Sequence, residues 1–444
     1  MISLISRANW NKQRLQSDVL VVGAGPAGIA AACKAADHGR KVVVLDNSPW
    51  LGGQIWRGAL AHSGRGPAGR WIARLQKSGA SMFSNATAFA APSSHVLLAE
   101  TPDGVLELSW KKLIMATGAR ERFLPFPGWT LPGVVGPGGL YAMVKSGWPI
   151  AGKRVVVAGS GPLLLAAADG LKQAGARVSL VAEQADWSQV LRFGMGLWRY
   201  PGKLLQGVGV KARLLGVPYR CGSWPVKAEG TARLESVTLT NGSRSWTEDC
   251  DYLACGFHLV PNIELPCLLG CALANGFVRV DEFQLTSVPD VSCAGEPTGI
   301  GGADCAVVEG QIAGLAAAEA YDAARPLFGQ RAAWHRFRAN LHRTFAPRPE
   351  LRQLAAPDTF VCRCEDVRLA ELQKCESLRA ARLQTRCGMG SCQGRTCGAA
   401  VQFLFGWEND SVRPPLFPVR LASLADVISP SDKHTLETNK ASRI

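Results

Sequence analysis

The segment GAGPAG at 23–28 constrains this chain more than any other feature, because of what stands on either side of it. An apolar run at 18–22 leads in, a small-residue helical pattern at 27–38 leads out, and Asp46 closes the next apolar run. Together these make a strand–turn–helix–strand unit of the dinucleotide-binding type. Gly23 permits the tight turn, Gly25 lets the backbone approach a pyrophosphate, and Gly28 lets helix and strand pack closely. Pro26 and Ala27 fill the turn between them. The helix N-terminus presents unpaired N–H groups to phosphates, and Asp46 stands where a carboxylate accepts from both ribose hydroxyls. A second copy follows: an apolar run at 153–158, GSGPLL at 159–164, a helical pattern to 174 and a further apolar run at 177–182. The repeat predicts an α/β chain with two Rossmann-like βαβ domains.

The copies are not equal. The third glycine is replaced by Leu164 in the second, and Arg177 lies too early on its strand to read a 2′-phosphate. Asp46 lies seven residues after Gly39, and the same count from Gly175 reaches Ala182, with Glu183 one place further. A shift of one turns a strand residue to the other face, so the expected acid is absent there unless the strand ends early. NAD(P) in the second site is therefore left open, beside a non-redox nucleotide or an empty remnant of the repeat.

At 444 residues the chain has room for about two to four domains. Pro/Gly-rich PFPGWTLPGVVGPGG at 125–139 suggests the first crossing between domains. The expected layout is an arm at 1–17, an FAD-binding domain at 18–125 and 255–325, and an NAD(P)-binding-like domain at 126–254. A linker at 326–357, a small, mainly helical Cys-rich domain at 358–410 and a tail at 411–444 complete it. The first twenty residues show no signal-peptide pattern and no apolar run reaches transmembrane length. A cytoplasmic location is expected, with attachment to the periphery of the inner membrane through a complex as the alternative, and there fourteen cysteines serve as ligands or core residues rather than disulfides. The net charge of +14 comes without a nucleic-acid motif, so a solvated basic surface or an acidic electron-transfer partner accounts for it.

Three later segments decide between nucleotides: GGQ at 52–54, MATGAR at 115–120 and CAGEPTGIGGADCAVVEGQIAG at 293–314. With the first βαβ unit they resemble the two-dinucleotide-binding-domain flavoproteins that include thioredoxin and glutathione reductases. The resemblance implies a glutathione-reductase-like fold over residues 18–325 and a bound FAD. Its contacts would come from Gly53 and Gln54, from Ala116, Thr117 and Gly118, and from Gly295, Glu296 and Gly302. Glu296 stands where that group usually carries Asp. The stretch IWRGALAH directly after GGQ holds no cysteine, and Cys221, Cys250 and Cys255 form no CxxC, so dithiol chemistry is not expected.

Six cysteines crowd between positions 362 and 397, in VCRCEDV (361–367), at Cys375 and in TRCGMGSCQGRTCG (385–398). Thiolates at C-x-C and C-x4-C spacing on two short loops can converge on one metal, and four of them suit Zn²⁺ or a 2Fe–2S cluster equally. Arg363, Arg386 and Arg395 are candidates to offset the charge. The segment resembles the bacterioferritin-associated-ferredoxin-like domain, above all the version fused to FAD-dependent dehydrogenases. That resemblance implies a 2Fe–2S cluster on Cys362, Cys364, Cys392 and Cys397, with Cys387 a fifth candidate. Cys375 is expected to be structural, on an amphipathic helix at 369–378.

Taken whole, including RPPLFPVRLASLAD at 413–426, the chain resembles the FAD-binding alpha subunits of multisubunit amine dehydrogenases. These are opine oxidase, D-hydroxyproline dehydrogenase and hydrogen cyanide synthase. The resemblance implies a hetero-oligomer in which a beta subunit with its own FAD oxidises the amine. A small ferredoxin-like subunit is a further implied partner. No catalytic constellation for amine oxidation stands out here, and His258 and His335 read as structural. The rival readings are a free-standing NAD(P)H-dependent FAD oxidoreductase and a non-catalytic scaffold subunit with a Zn site.

Overall fold

Val19, Leu20 and Val21 have no exposed surface in the computed structural model, as a strand covered on both faces requires. They lie in β1 (Gln13–Val22), which is followed by α1 (Pro26–Asp37), β2 (Val42–Leu45) and β3 (Ser81–Phe83). Next come β4 (Thr87–Ser93), β5 (Val96–Thr101) and β6 (Gly104–Met115). The sheet order is β3–β2–β1–β6–β5–β4, with Val291–Cys293 pairing β6. The first four of these and Val291–Cys293 are parallel, and β4–β5–β6 form an antiparallel meander. The structure describes residues 13–58, 66–408 and 412–427. Most of the expected arm and tail lies outside them.

The described residues divide into two units. The first takes in the chain up to Gly118, Pro261–Ala332 and the described residues after 411. Its helices α1 and Gly302–Ala317 cross without side chains between them. A Cβ on Gly310 would lie 2.1 Å from the carbonyl oxygen of Ala27, and one on Gly314 would lie 2.2 Å from that of Ala31. Two glycines four apart on one helix face thus set the helix spacing.

The second unit takes in Ala119–Val260 and Ala333–Asp410. Its parallel sheet runs Tyr219–Cys221, Arg177–Glu183, Arg154–Ser160, Tyr252–Phe257, Val134–Val135. A three-stranded antiparallel sheet, Trp224–Glu229, Ser236–Thr240 and Ser245–Asp249, is appended to it in sequence. The two Rossmann-like sheets expected from the repeat are therefore present. The Cys-rich segment has its own core, in which Val361, Leu372, Leu378, Ala381 and Val401 pack around Cys362, Cys387 and Cys397. It is mainly helical, as expected, but the single helix expected at 369–378 is not formed. Leu369–Leu372 ends in a turn and a new helix runs Leu378–Thr385, its first turn capped by Ser377, whose side chain accepts from Ala380 N. That Ser side chain competes for the helix start, which is what Ser does best. Cys375 falls between the helices, buried, with Sγ 3.6 Å from the Glu371 carbonyl and from Gln384 Oε1.

Candidate functional site: a flavin cradle and a thiol cluster

The first glycine turn is built against backbone. Gly23 has φ +107°, and a Cβ there would lie 2.2 Å from the carbonyl oxygen of Ala116. A Cβ on Gly28 would lie 1.7 Å from the carbonyl oxygen of Gly23. Gly25 differs, since a Cβ there would have no atom within 4 Å. Its open side is the cradle that a pyrophosphate would fill. Asp46 is buried at the strand end and accepts from Ala24 N at 2.5 Å and from Ser48 N at 2.7 Å. Burial pushes its carboxyl up, and the two N–H donors and Arg57 work against that push.

The later segments gather around the same turn. Gly52 N donates to Ala24 O at 2.9 Å, and Gly53, with φ +59°, sits so close that a Cβ would be 3.1 Å from Gly25 Cα. Gln54 is exposed beside it. Thr117 and Asn262 clamp one another: Thr117 Oγ1 donates to Asn262 O at 2.6 Å, and Asn262 Nδ2 donates to Thr117 O at 2.8 Å. Asn262 N donates to Gly118 O. Gly295 has φ +82° and abuts Ala27, where a Cβ would be 2.9 Å from the alanine Cβ. Glu296 Oε1 accepts from Gly302 N at 2.9 Å, at the first turn of Gly302–Ala317. One residue essential to this turn escaped the sequence reading. Glu309, almost fully buried, accepts from Gly295 N at 2.8 Å and from Thr298 Oγ1 at 2.9 Å through one oxygen. A Glu in the middle of the small-residue helix at 302–317 was the available signal, since an acid is rarely buried without partners.

In the second unit the cysteines converge. The sulfurs of Cys362, Cys387 and Cys397, all buried, lie within 4.8 Å of one another. Cys392 is half-buried and hydrogen-bonded to Cys397 and Cys364, and Cys364 is exposed. Hydrogen bonds from Cys387 and Cys397 hold the Cys362 thiol far below its ordinary range, and one from Cys397 lowers Cys392 to about 4. Such shared protons are what a soft metal displaces. The C-x4-C loop rides on the C-x-C loop at Gly390, where a Cβ would be 2.5 Å from that of Cys364. Of the three arginines considered for charge, Arg386 pairs with Glu365 at 2.7 Å and Arg363 lies over the Trp129 ring. Arg395 turns its Nε to the Cys392 carbonyl, and Arg120 donates to the Arg395 carbonyl at 2.9 Å. His258 is half-buried with its ring against that of His342, and desolvation pushes its pKa down to about 4, with His342 and Arg122 adding to the effect. Its Nδ1 accepts from Leu259 N at 2.7 Å.

Residues 17–310 match the family described as pyridine nucleotide-disulphide oxidoreductase. The chain belongs to this family. The hydrogen cyanide synthase chain HcnB of Pseudomonas aeruginosa is 31% identical over 85% of this chain and 90% of its own. An opine oxidase subunit of Rhizobium meliloti is 31% identical over 93% of this chain and 99% of its own. The resemblance to the alpha subunits of amine dehydrogenases is thereby borne out. L-proline dehydrogenase from P. horikoshii shares the fold, with a TM-score of 0.67 at 21% identity over 94% of this chain and 80% of its own. The chain is an FAD-dependent oxidoreductase, and the open face of Gly25 fits that dinucleotide. Unlike the disulphide reductases for which the family is named, it carries no cysteine pair just after GGQ, and none of its fourteen cysteines forms a disulfide.

The family's second nucleotide unit corrects one reading. Glu183 does occupy the position of Asp46. The strand Arg177–Glu183 neither ends early nor turns the acid away; it carries a bulge between Val178 and Leu180, which absorbs the extra residue. Glu183 therefore pairs in register with Gly159 and accepts from Gly161 N at 2.7 Å and Ala185 N at 2.9 Å, repeating the Asp46 pattern. It is fully buried, and burial pushes its pKa up to about 7. The ends of these strands are covered by the chain itself. Ser160 Oγ donates to Phe345 O at 2.7 Å, Gln184 Nε2 donates to Ala346 O at 3.1 Å, and Arg348 reaches the Gln184 carbonyl and Asp186.

Proposed function

We propose that this chain is the electron-relay subunit of a hetero-oligomeric dehydrogenase or oxidase acting on a secondary amine or imino acid. The observation that carries this reading is the pairing, in one chain, of a glycine turn with an open face at Gly25 and the converging thiols of Cys362, Cys387 and Cys397. Flavin exchanges two electrons together or singly, which suits transfer to a one-electron 2Fe–2S centre. Gly23, Gly25, Pro26, Ala27, Gly28 and Asp46, with Gly53, Gln54, Ala116, Thr117, Gly118, Gly295, Glu296 and Gly302, would hold FAD. Cys362, Cys364, Cys392 and Cys397 would hold the cluster. The relatives are named as subunits of a cyanide synthase and an opine oxidase, which favours partner chains; the family resemblance adds that one of them would bind the substrate and carry its own FAD. A small ferredoxin-like subunit is a second fitting partner. Free thiols in this number suit the reducing cytoplasm.

The isolated chain is expected to turn over no opine, proline derivative or glycine, and to gain activity when its partner chains are co-purified from the native host. Turnover by the single polypeptide would end the relay reading.

We further propose that the second unit takes no NAD(P)H. Although Glu183 stands in place, the crevice at the strand ends, where open parallel sheets receive ligands, is filled by Phe345–Arg348. Leu164 also replaces the third glycine. Micromolar NADH should bleach the flavin slowly or not at all, as read at the flavin absorption band. Rapid stoichiometric bleaching would instead make the chain a free-standing NAD(P)H oxidoreductase.

A further inference from the structure

His258 stands alone in the sequence but not in the fold. It directly follows the strand Tyr252–Phe257, at the carboxyl end of the second unit's parallel sheet, where open sheets of this kind receive ligands. The chain covers the ends of the strands Arg154–Ser160 and Arg177–Glu183 with Phe345–Arg348, and Tyr252–Phe257 is the next strand along. His258 has φ +72°, a left-handed backbone that is uncommon for a residue with a side chain and is often kept where it serves a site. Arg122 is tied to the same position by main chain: Phe257 N donates to Arg122 O at 2.8 Å, and Arg122 N donates to His258 O at 3.0 Å. His342, exposed near the end of the helix Phe328–Thr344, brings its ring centroid to 5.6 Å from that of His258. All three residues belong to the second unit.

These are nitrogen-bearing side chains, and no acid answers them. Arg122 Nε is buried without a hydrogen-bond partner, and loss of solvent holds the guanidinium below its ordinary range. No carboxylate among the described residues acts on Arg122 or on His258. The adjacent acid, Glu121, is engaged elsewhere, its oxygens accepting from Gly138 N at 2.8 Å and Gly139 N at 3.0 Å. Because His258 Nδ1 accepts from Leu259 N, the neutral ring carries its proton on Nε2, which has no acceptor among the described residues. A guanidinium drawn out of water without an anion is costly, and folded proteins seldom keep one unless something pairs with it.

We propose that Arg122, His258 and His342 form a binding site for the carboxylate of a small organic acid. The planar guanidinium matches a carboxylate in shape, and the His258 Nε2–H adds a second kind of donor. Charge narrows the ligand further. Desolvation keeps His258 neutral near pH 7, with its pKa at about 4, so Arg122 supplies the one charge withdrawn from water. A single charge of that kind matches a monoanion better than a dianionic phosphate. An ammonium group on the ligand would find no acid, so an α-keto acid is preferred to the amino acid of the same size.

The test is calorimetric titration of the full-length, flavin-loaded chain with pyruvate, L-alanine and inorganic phosphate near neutral pH. Pyruvate should bind at one site per chain, with the other two weaker by about tenfold or more. Arg122→Met should weaken pyruvate binding by about tenfold or more. Without ligand it should leave the thermal midpoint unchanged or raise it, since it removes a charge that nothing pairs. His258→Gly suits φ +72° and removes the ring, so it should weaken pyruvate binding with no loss of midpoint. The flavin spectrum reports whether each variant is folded. The proposal falls if the wild-type chain binds no pyruvate, or if folded Arg122→Met binds it equally well. Tighter binding of phosphate or L-alanine than of pyruvate overturns the ligand class. A marked fall in the midpoint of ligand-free Arg122→Met would make Arg122 a structural group instead.

Discussion

Gly25→Val should give a folded chain that is nearly free of FAD. The residue has φ −79° and ψ −174°, extended backbone that valine adopts readily, so no strain opposes the substitution. A Cβ there meets no protein atom within 4 Å, so the isopropyl group occupies only the space through which a pyrophosphate approaches. Affinity for FAD should fall by at least about a hundredfold, about 2.8 kcal/mol. The purified variant should be colourless with an unchanged far-ultraviolet spectrum. Gly28→Ala provides the contrast. Its Cβ lies 1.7 Å from the Gly23 carbonyl oxygen, so helix and turn must part, and overpacking of this kind costs about 1–3 kcal/mol or more. That variant should lose stability as well as flavin. If Gly25→Val keeps full yellow colour, the cradle is wrongly placed.

The glycine turn proposed to hold the flavin was readable because its requirements are local. GAGPAG, Asp46 and the two later turns each need a residue type that the sequence displays, and the strand register brings them to one place. What remained hidden depends on geometry that leaves no mark in a hydrophobic pattern. The bulge between Val178 and Leu180 shifts Glu183 into the position of Asp46, and counting residues cannot detect an extra one in a strand whose last four residues are all buried. The part played by Glu309 appears only once Gly295 is seen to donate to it. Cover of the second crevice by Phe345–Arg348 joins segments far apart in the chain, which no spacing rule reaches. Six crowded cysteines announced a centre, but spacing alone does not tell which sulfurs meet.

Cys362→Ser and Cys397→Ser should each abolish the iron–sulfur absorption and most of the bound iron. These two sulfurs belong to the buried group and come from different loops. The sulfur contacts join Cys362 to Cys387 and Cys397, Cys397 to Cys387 and Cys392, and Cys392 to Cys364. The proposed ligand set takes from them two pairs across the loops, Cys362 with Cys397 and Cys364 with Cys392. Two thiolates on each side suit a two-iron centre, whereas one zinc needs only four at a single point. Cys387 touches Cys362 and Cys397 but adds a third sulfur to one side, so it is not required to complete either pair. Cys364→Ser and Cys392→Ser should therefore also lose the centre, and Cys387→Ser should retain iron and absorption. Exposure of Cys364 does not disqualify it, because Gly390 presses the two loops together at its Cβ. The opposite pattern, in which Cys387→Ser loses iron and Cys364→Ser keeps it, would make the buried trio the ligating core. Metal analysis of anaerobically purified protein decides the remaining alternative. One zinc and no iron per chain would remove the one-electron centre that the proposed relay needs, and the scaffold reading would replace it.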